Sequence, residues 1–186
     1  NIADLVAYAK KNPGKLSYGS AGNGSAGHLA FEYLKMTADI FMLHVPYRGT
    51  GPMMQDLIAG RLDAASVGAS ALIPFIKAGK VRCIATGSTA RLPQLPDVPT
   101  VAEQGFSGFE MTQWYGMLAP SSMPRAHVDK LAAACAKAVK APDALKRLQG
   151  DAAEPIGGTP EQFAQFIAVE QGRWQKVLKR AQVKPS

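Results

Sequence analysis

The chain has 186 residues, 47% of them hydrophobic and 19% charged, which is enough for a substantial core and excludes a disordered chain. No apolar run approaches the roughly 20 residues that span a bilayer. No secretory leader precedes the opening Asn1-Ile2-Ala3-Asp4, as in a mature or trimmed chain, so its absence does not place the protein in the cytoplasm. The formal net charge of +7 suggests nucleic-acid binding, but the basic residues are dispersed. Lys10, Lys11 and Lys15 lie early, Lys77, Lys80 and Arg82 in the middle, and Lys176, Lys179, Arg180 and Lys184 at the end. The last group shares a helix with an apolar face, so a solvated surface is expected, with no nucleic-acid partner. A basic protein attracts small anions equally well.

The first two-thirds alternate helices with strands. Residues 3–11 read as a helix, with Leu5, Val6 and Ala9 on one face and Asn12-Pro13-Gly14 as the stop. Lys15 to Gly19 reads as a strand, residues 27–38 as a helix, and Phe41 to Val45 as a second strand. A third helix begins near Pro52 and ends at Gly60; Leu62 to Val67 is the third strand. Ser70 is the expected cap of a helix reaching Lys77 and stopped by Gly79, and Val81 to Thr86 is a fourth strand. Such alternation predicts an α/β fold with a mostly parallel sheet flanked by helices. After Arg91 the proline-rich run to Pro99 reads as a surface crossing, followed by a short turn from Thr100 to Gln104. Met111 to Ala119 is expected to resume a strand, a helix follows Pro124, and a last helix runs from Pro160 to about Ala181. The expected division is a complete α/β unit over residues 1–108 and a mainly helical region over 109–186.

The segment Ser20-Ala21-Gly22-Asn23-Gly24-Ser25-Ala26-Gly27 joins a strand to a helix. Free backbone N–H groups, the helix dipole and small side chains make it a candidate anion site; a capped turn that binds nothing is the plainer alternative. Gly22, Gly24 and Gly27 also satisfy G-x-G-x-x-G, which raises a dinucleotide-binding oxidoreductase. That fingerprint needs a carboxylate after the next strand, where this chain has Val45-Pro46-Tyr47-Arg48. Strand-end loops of an open α/β sheet share one edge, so Tyr47-Arg48-Gly49-Thr50-Gly51 and Gly68-Ala69-Ser70 are expected to join the site. Arg48 is either a carboxylate partner or an ordinary exposed arginine. His28, in the first turn of its helix, is a candidate donor to an anion. His44 and His127 lie elsewhere in sequence, and no nucleophile or metal partner for His28 is evident. Asp63 reads as a structural hydrogen-bonding residue.

No enzyme motif appears: there is no G-x-S-x-G, P-loop or H-E-x-x-H pattern, and Glu103 and Glu110 fall near irregular segments. Cys83 and Cys135 sit in apolar contexts and are expected as buried free thiols rather than a disulfide. No metal and no cofactor are expected.

In order along nearly the whole chain, KLSYGSAGNGSAG (Lys15 to Gly27) with His28-Leu29, His44-Val45-Pro46-Tyr47-Arg48-Gly49, Gly60-Arg61-Leu62-Asp63, Ala78-Gly79-Lys80-Val81-Arg82, Leu95-Pro96-Asp97-Val98-Pro99-Thr100, Glu103-Gln104-Gly105 and Trp114-Tyr115-Gly116 carry one resemblance. The sequence resembles the Bug family, the TctC-like substrate-binding proteins of tripartite tricarboxylate transporters. The resemblance implies a periplasmic, non-enzymatic receptor with a fold like that of type II periplasmic binding proteins. Such a receptor closes two α/β domains on a small organic anion, a carboxylate or related solute, and delivers it to membrane transporter subunits. It implies ligand-binding roles for Ser20, Ala21, Gly22, Asn23, Gly24, Ser25, His28, Gly49 and Thr50, and a hinge crossing within Gly108 to Tyr115. Relatives begin with a further βαβ region, so residues 1–108 correspond to the family's second domain and 109–186 to the returning part of a partial first domain. At Val67-Gly68 many relatives carry Asp-Asn. The oligomeric state is left open.

Overall fold

The computed structural model describes residues 1–181, so Lys184 lies outside the described residues. They form two compact units, one of Asn1–Gln113 with residues 176–181, the other of Trp114–Gln175.

The first unit is organised on β1 (Ser17–Ser20), the central strand of a parallel sheet with the order β2-β1-β3. β2 (Leu43–Pro46) pairs with it in the register Tyr18↔His44, and β3 (Ala64–Ala65) in the register Tyr18↔Ala64. Parallel strands need crossover connections, and the helical periodicity between them supplies these as α2 (Ala26–Ala38) and α3 (Thr50–Ile58). Tyr18, Gly19 and Ser20 are buried, as a strand covered on both faces requires. On one side Tyr18, Phe31, Leu34 and Met42 pack with Ile2, Val6 and Ala9 of α1 (Ile2–Lys11). On the other, Met53, Met54 and Leu62 form a second cluster, against which Leu72 and Phe75 of α4 (Ala69–Lys77) pack.

Asp63 performs the structural role expected of it. Its Oδ2 accepts from the Ser17 N–H at 2.7 Å and the Ser17 hydroxyl at 2.9 Å, fixing β3 to the start of β1. Asp63→Ala should therefore lower the urea-unfolding stability by about 1 kcal/mol. An unchanged midpoint would show that water replaces this link at no cost.

Several expectations need correction. The third strand is confined to Ala64–Ala65, and helix α4 begins at Ala69 with Gly68 as its cap and no side-chain capping bond, so Ser70 lies inside the helix. Val81 to Thr86 does not form a strand; only a parallel bridge between Thr86 and Thr100 is present. Its neighbouring segment arrives through Pro96 and Pro99, and proline has no N–H to give a ladder. Thr100 and Glu103 instead make a reciprocal capping pair, Glu103 Oε2 accepting from the Thr100 N–H at 2.6 Å and Thr100 Oγ1 from the Glu103 N–H at 3.1 Å. This pair opens a 3-10 turn over Ala102–Gln104. Both cysteines are free, as expected, but half-buried rather than buried.

In the second unit Met117 and Leu118 are exposed, and no strand forms over Met111 to Ala119. An extended segment becomes a strand only beside a partner that continues the ladder; here the Met111 N–H donates to the Gly87 carbonyl at 2.7 Å and no named strand is built on that bond. Trp114 packs edge-on against Phe163 and Phe166. Three helices complete this part of the chain: α5 (Arg125–Ala138), α6 (Pro142–Gly150) and α7 (Pro160–Ala181), the last continuing into the first unit. Helix α6 lies outside the expected elements, although Pro142 at its start, Asp143 in its first turn and Leu145 with Leu148 are ordinary helix signals.

Candidate functional site

Because the strands are parallel, β1, β2 and β3 end at the same edge of the sheet, and the loops that follow open α2, α3 and α4 there. Two of these loops are joined by backbone bonds that extend the β1–β2 pairing. The Tyr47 N–H donates to the Ser20 carbonyl at 3.0 Å and the Gly49 N–H to the Ala21 carbonyl at 3.1 Å. Tyr47 also donates its hydroxyl to Asp56 Oδ2 at 2.7 Å, which ties the second loop to its own helix. The structure thus brings together Ala21 to Ser25, Gly49 and the start of α3 at Thr50.

The glycines of the first loop have a geometric explanation. Gly24 has φ of 74°, a conformation that side-chain-bearing residues rarely adopt. A Cβ on Gly27 would lie 1.9 Å from the Ser66 carbonyl oxygen, so α2 sits against the end of β3 with no room for a side chain. A tight turn and close helix packing therefore account for the glycine pattern without a dinucleotide.

The loop N–H groups divide into two sets. Gly22 donates to Ser20 Oγ at 3.2 Å, Gly24 to His28 Nδ1 at 3.0 Å and Ser25 to the Gly22 carbonyl at 3.2 Å. The exposed Asn23 has no bonded partner for its N–H among the described residues. Helices α3 and α4 are capped by Gly49 and Gly68, which bring no side-chain acceptor to their first-turn N–H groups. On α2, Ser25 Oγ accepts from the His28 N–H at 3.4 Å. Arg48 is exposed and forms no ion pair among the described residues.

Ser20 and His28 lie beneath this surface rather than on it. Ser20 is fully buried, donates its hydroxyl to the Gly22 carbonyl at 3.0 Å and contacts His44 Nε2 at 2.7 Å. A serine beside a histidine resembles a nucleophile and base, but this hydroxyl is inaccessible and already committed to the loop. The buried His28 ring stacks on His44 with centroids 3.9 Å apart, and its Nε2 lies 3.9 Å from Glu32. Glu32 Oε1 in turn accepts from the Tyr18 hydroxyl at 2.6 Å and Lys35 Nζ at 2.5 Å. Burial holds both histidines below their ordinary pKa, His44 at about 4, where its stacked neighbour His28 adds to the effect. Burial also raises the Tyr18 phenol, helped by its bond to Glu32.

No partner for His28 is evident from the sequence because the partners come from different elements. The four-residue spacing to Glu32 was visible on the helix, but the contacts with His44 depend on strand register. His127 lies in α5, in the other unit. Among the described residues no group of three His, Cys, Asp or Glu side chains is placed to hold a metal ion.

The family model of the tripartite tricarboxylate transporter family receptor, TctC, matches residues 1–183. The chain belongs to this family. TctC-family proteins are periplasmic solute-binding proteins rather than enzymes, which sets aside the oxidoreductase alternative. A relative from Pseudomonas sp. (strain P51), the UPF0065 protein in the tcbD-tcbE intergenic region, is 42% identical over 179 residues, covering 96% of this chain and 53% of its own length. Rpa4515 of R. palustris, solved with adipate, superposes with a TM-score of 0.90 at 34% identity, over 100% of this chain and 62% of that one. MatC (Rpa3494) from Rhodopseudomonas palustris, solved with bound malate, gives a TM-score of 0.84 at 31% identity, over 96% and 62%. The chain spans about half the length of the curated relatives it matches.

Proposed function

We propose that this chain supplies one wall of a receptor that holds a small organic anion, a carboxylate, without transforming it and passes it to membrane transporter subunits. The observation that carries this reading is the convergence of the β1–α2 and β2–α3 loops at one sheet edge, with the Asn23 N–H and the first turn of α3 lacking internal acceptors. A carboxylate is a planar acceptor of several hydrogen bonds, and N–H groups at helix starts are suited to it. Ala21 to Ser25, Gly49 and Thr50 are the proposed contacts, with Ser20 and His28 supporting the loop from below. Adipate and malate, found in two solved relatives, are the first ligands to try. In the proposed assignment residues 1–108 are the family's second domain, and 109–186 belong to the first.

Titrating adipate into the uniformly 15N-labelled chain should shift the Asn23, Thr50 and Gly51 amides most, in a saturable way. NAD should leave them in place. Shifts caused by NAD but not by adipate or malate would sink the carboxylate reading.

A further inference from the structure

The Gly24 N–H is bonded to a titratable ring rather than to a carbonyl. Accepting it at 3.0 Å requires His28 Nδ1 to be unprotonated, so the neutral ring carries its proton on Nε2, towards Glu32. A charged ring would place an N–H of its own against the Gly24 N–H, two donors with no acceptor between them.

We infer that His28 is a positioning residue of the anion loop: its unprotonated Nδ1 holds the Gly24 N–H, and with it the turn that leaves the Asn23 N–H open to a carboxylate. This rests on the carboxylate reading and deepens it, because it makes carboxylate capture dependent on a neutral His28. A histidine that donated directly to the anion would behave in the opposite way, binding more tightly once charged.

The surroundings favour the neutral ring. Ser20 and Tyr18 of β1 and His44 of β2 lie against the pair, while Glu32 and Lys35 of α2 supply charges of opposite sign. Arg180 of α7 borders the groove beside Glu32 and Lys35 and pairs with Asp39 at 3.7 Å. Burial is the largest influence on each histidine and lowers both, opposed by Glu32 and assisted by Lys35. Below the ordinary histidine pKa of about 6.5 the folded chain therefore binds fewer protons than the unfolded chain. The brace is intact above that pH and is lost as acidification finally charges His28.

The test is 15N NMR of the full chain with adipate as probe, at pH 7.5 and at stepwise lower pH until the His28 ring shifts report its protonation, for wild type, His28→Asn and His28→Phe. Asparagine Oδ1 can accept the Gly24 N–H in place of Nδ1 without titrating, whereas phenylalanine cannot accept it. Adipate itself begins to protonate in this range, so the readout is the difference between chains. At pH 7.5 wild-type His28 should show an unprotonated Nδ1 and slow exchange of the Gly24 amide. Once the ring shifts show His28 charged, the wild-type affinity should have fallen about tenfold more than that of His28→Asn. His28→Phe should bind about tenfold more weakly than wild type at pH 7.5. Wild-type affinity that rises relative to His28→Asn, identical pH profiles for the two, or a freely exchanging Gly24 amide at pH 7.5 would each overturn the inference. If His28→Phe fails to fold, the comparison with His28→Asn still decides. If adipate moves no loop amide in wild type at pH 7.5, the carboxylate reading fails, while Gly24 exchange and the Nδ1 shift judge the brace separately.

Discussion

Replacing Gly27 with alanine should destabilise the protein by about 3 kcal/mol or more, the upper range for overfilling a packed contact. The added methyl would stand 1.9 Å from the Ser66 carbonyl oxygen and 3.0 Å from the Ser66 carbonyl carbon. These are backbone atoms at the end of β3, so no side-chain rotation relieves the clash. The whole start of α2 would have to lift from the sheet, taking Ser25 and the anion loop with it. Two other glycines calibrate the measurement. Gly24→Ala meets no atom within 4 Å but must hold φ of 74°, so strain alone should cost about 1 kcal/mol. Gly172→Ala lies inside α7 with open space around it and should gain up to about 1 kcal/mol from helix propensity. Urea unfolding followed by far-ultraviolet circular dichroism ranks the three. Equal losses at Gly27 and Gly24 would mean that the approach of α2 to Ser66 is not a fixed feature of the fold. Gly27→Ala should also weaken any carboxylate binding, since its clash moves the loop proposed to hold the ligand.

What could be read from the sequence follows from what is local. Helices α1, α2, α3, α4, α5 and α7 were legible because periodic apolar positions or their start and stop signals lie within one stretch of chain. The central strand was expected from Lys15 to Gly19 and runs from Ser17 to Ser20, because its register with β2 begins at Ser17. Val81 to Thr86 and Met111 to Ala119 have strand-like composition, yet a strand is a property of two segments, and pairing cannot be seen in one. The candidate site divides in the same way. Small residues between a strand and a helix marked the anion loop, and the missing carboxylate after β2 argued against a dinucleotide. Which N–H groups are open was hidden, because Gly22 and Gly24 are engaged by Ser20 and His28 through side-chain contacts that sequence spacing does not specify. Ser20 and His28 looked like ligand contacts because they flank the loop; burial places both beneath it.

Glu32→Ala should be the most damaging single charge removal in the first unit, at about 3 kcal/mol, as when one partner of a buried pair is lost. The Glu32 side chain is 10% exposed and that of Lys35 15%, so neither is screened as a surface pair would be. One carboxylate oxygen accepts both the Tyr18 hydroxyl and the Lys35 ammonium. Its removal therefore leaves an uncompensated cation and an unsatisfied phenol against the core. Tyr18→Phe should cost less, about 1 kcal/mol, because Glu32 keeps Lys35 when the hydroxyl is gone. Glu32→Gln should fall between them, keeping an acceptor for both donors but losing the charge. Trp114 and Trp174 both lie in the second unit, so tryptophan fluorescence is a poor reporter of this change. Hydrogen exchange of the β1 and α2 amides reads it directly. If Tyr18→Phe loses as much protection as Glu32→Ala, the phenol rather than the buried charge pair is the anchor. In either case the effect should reach the loop. Tyr18, which satisfies Glu32, stacks against the His28 and His44 rings, so the loop proposed to bind the anion rests on a polar network anchored at Glu32.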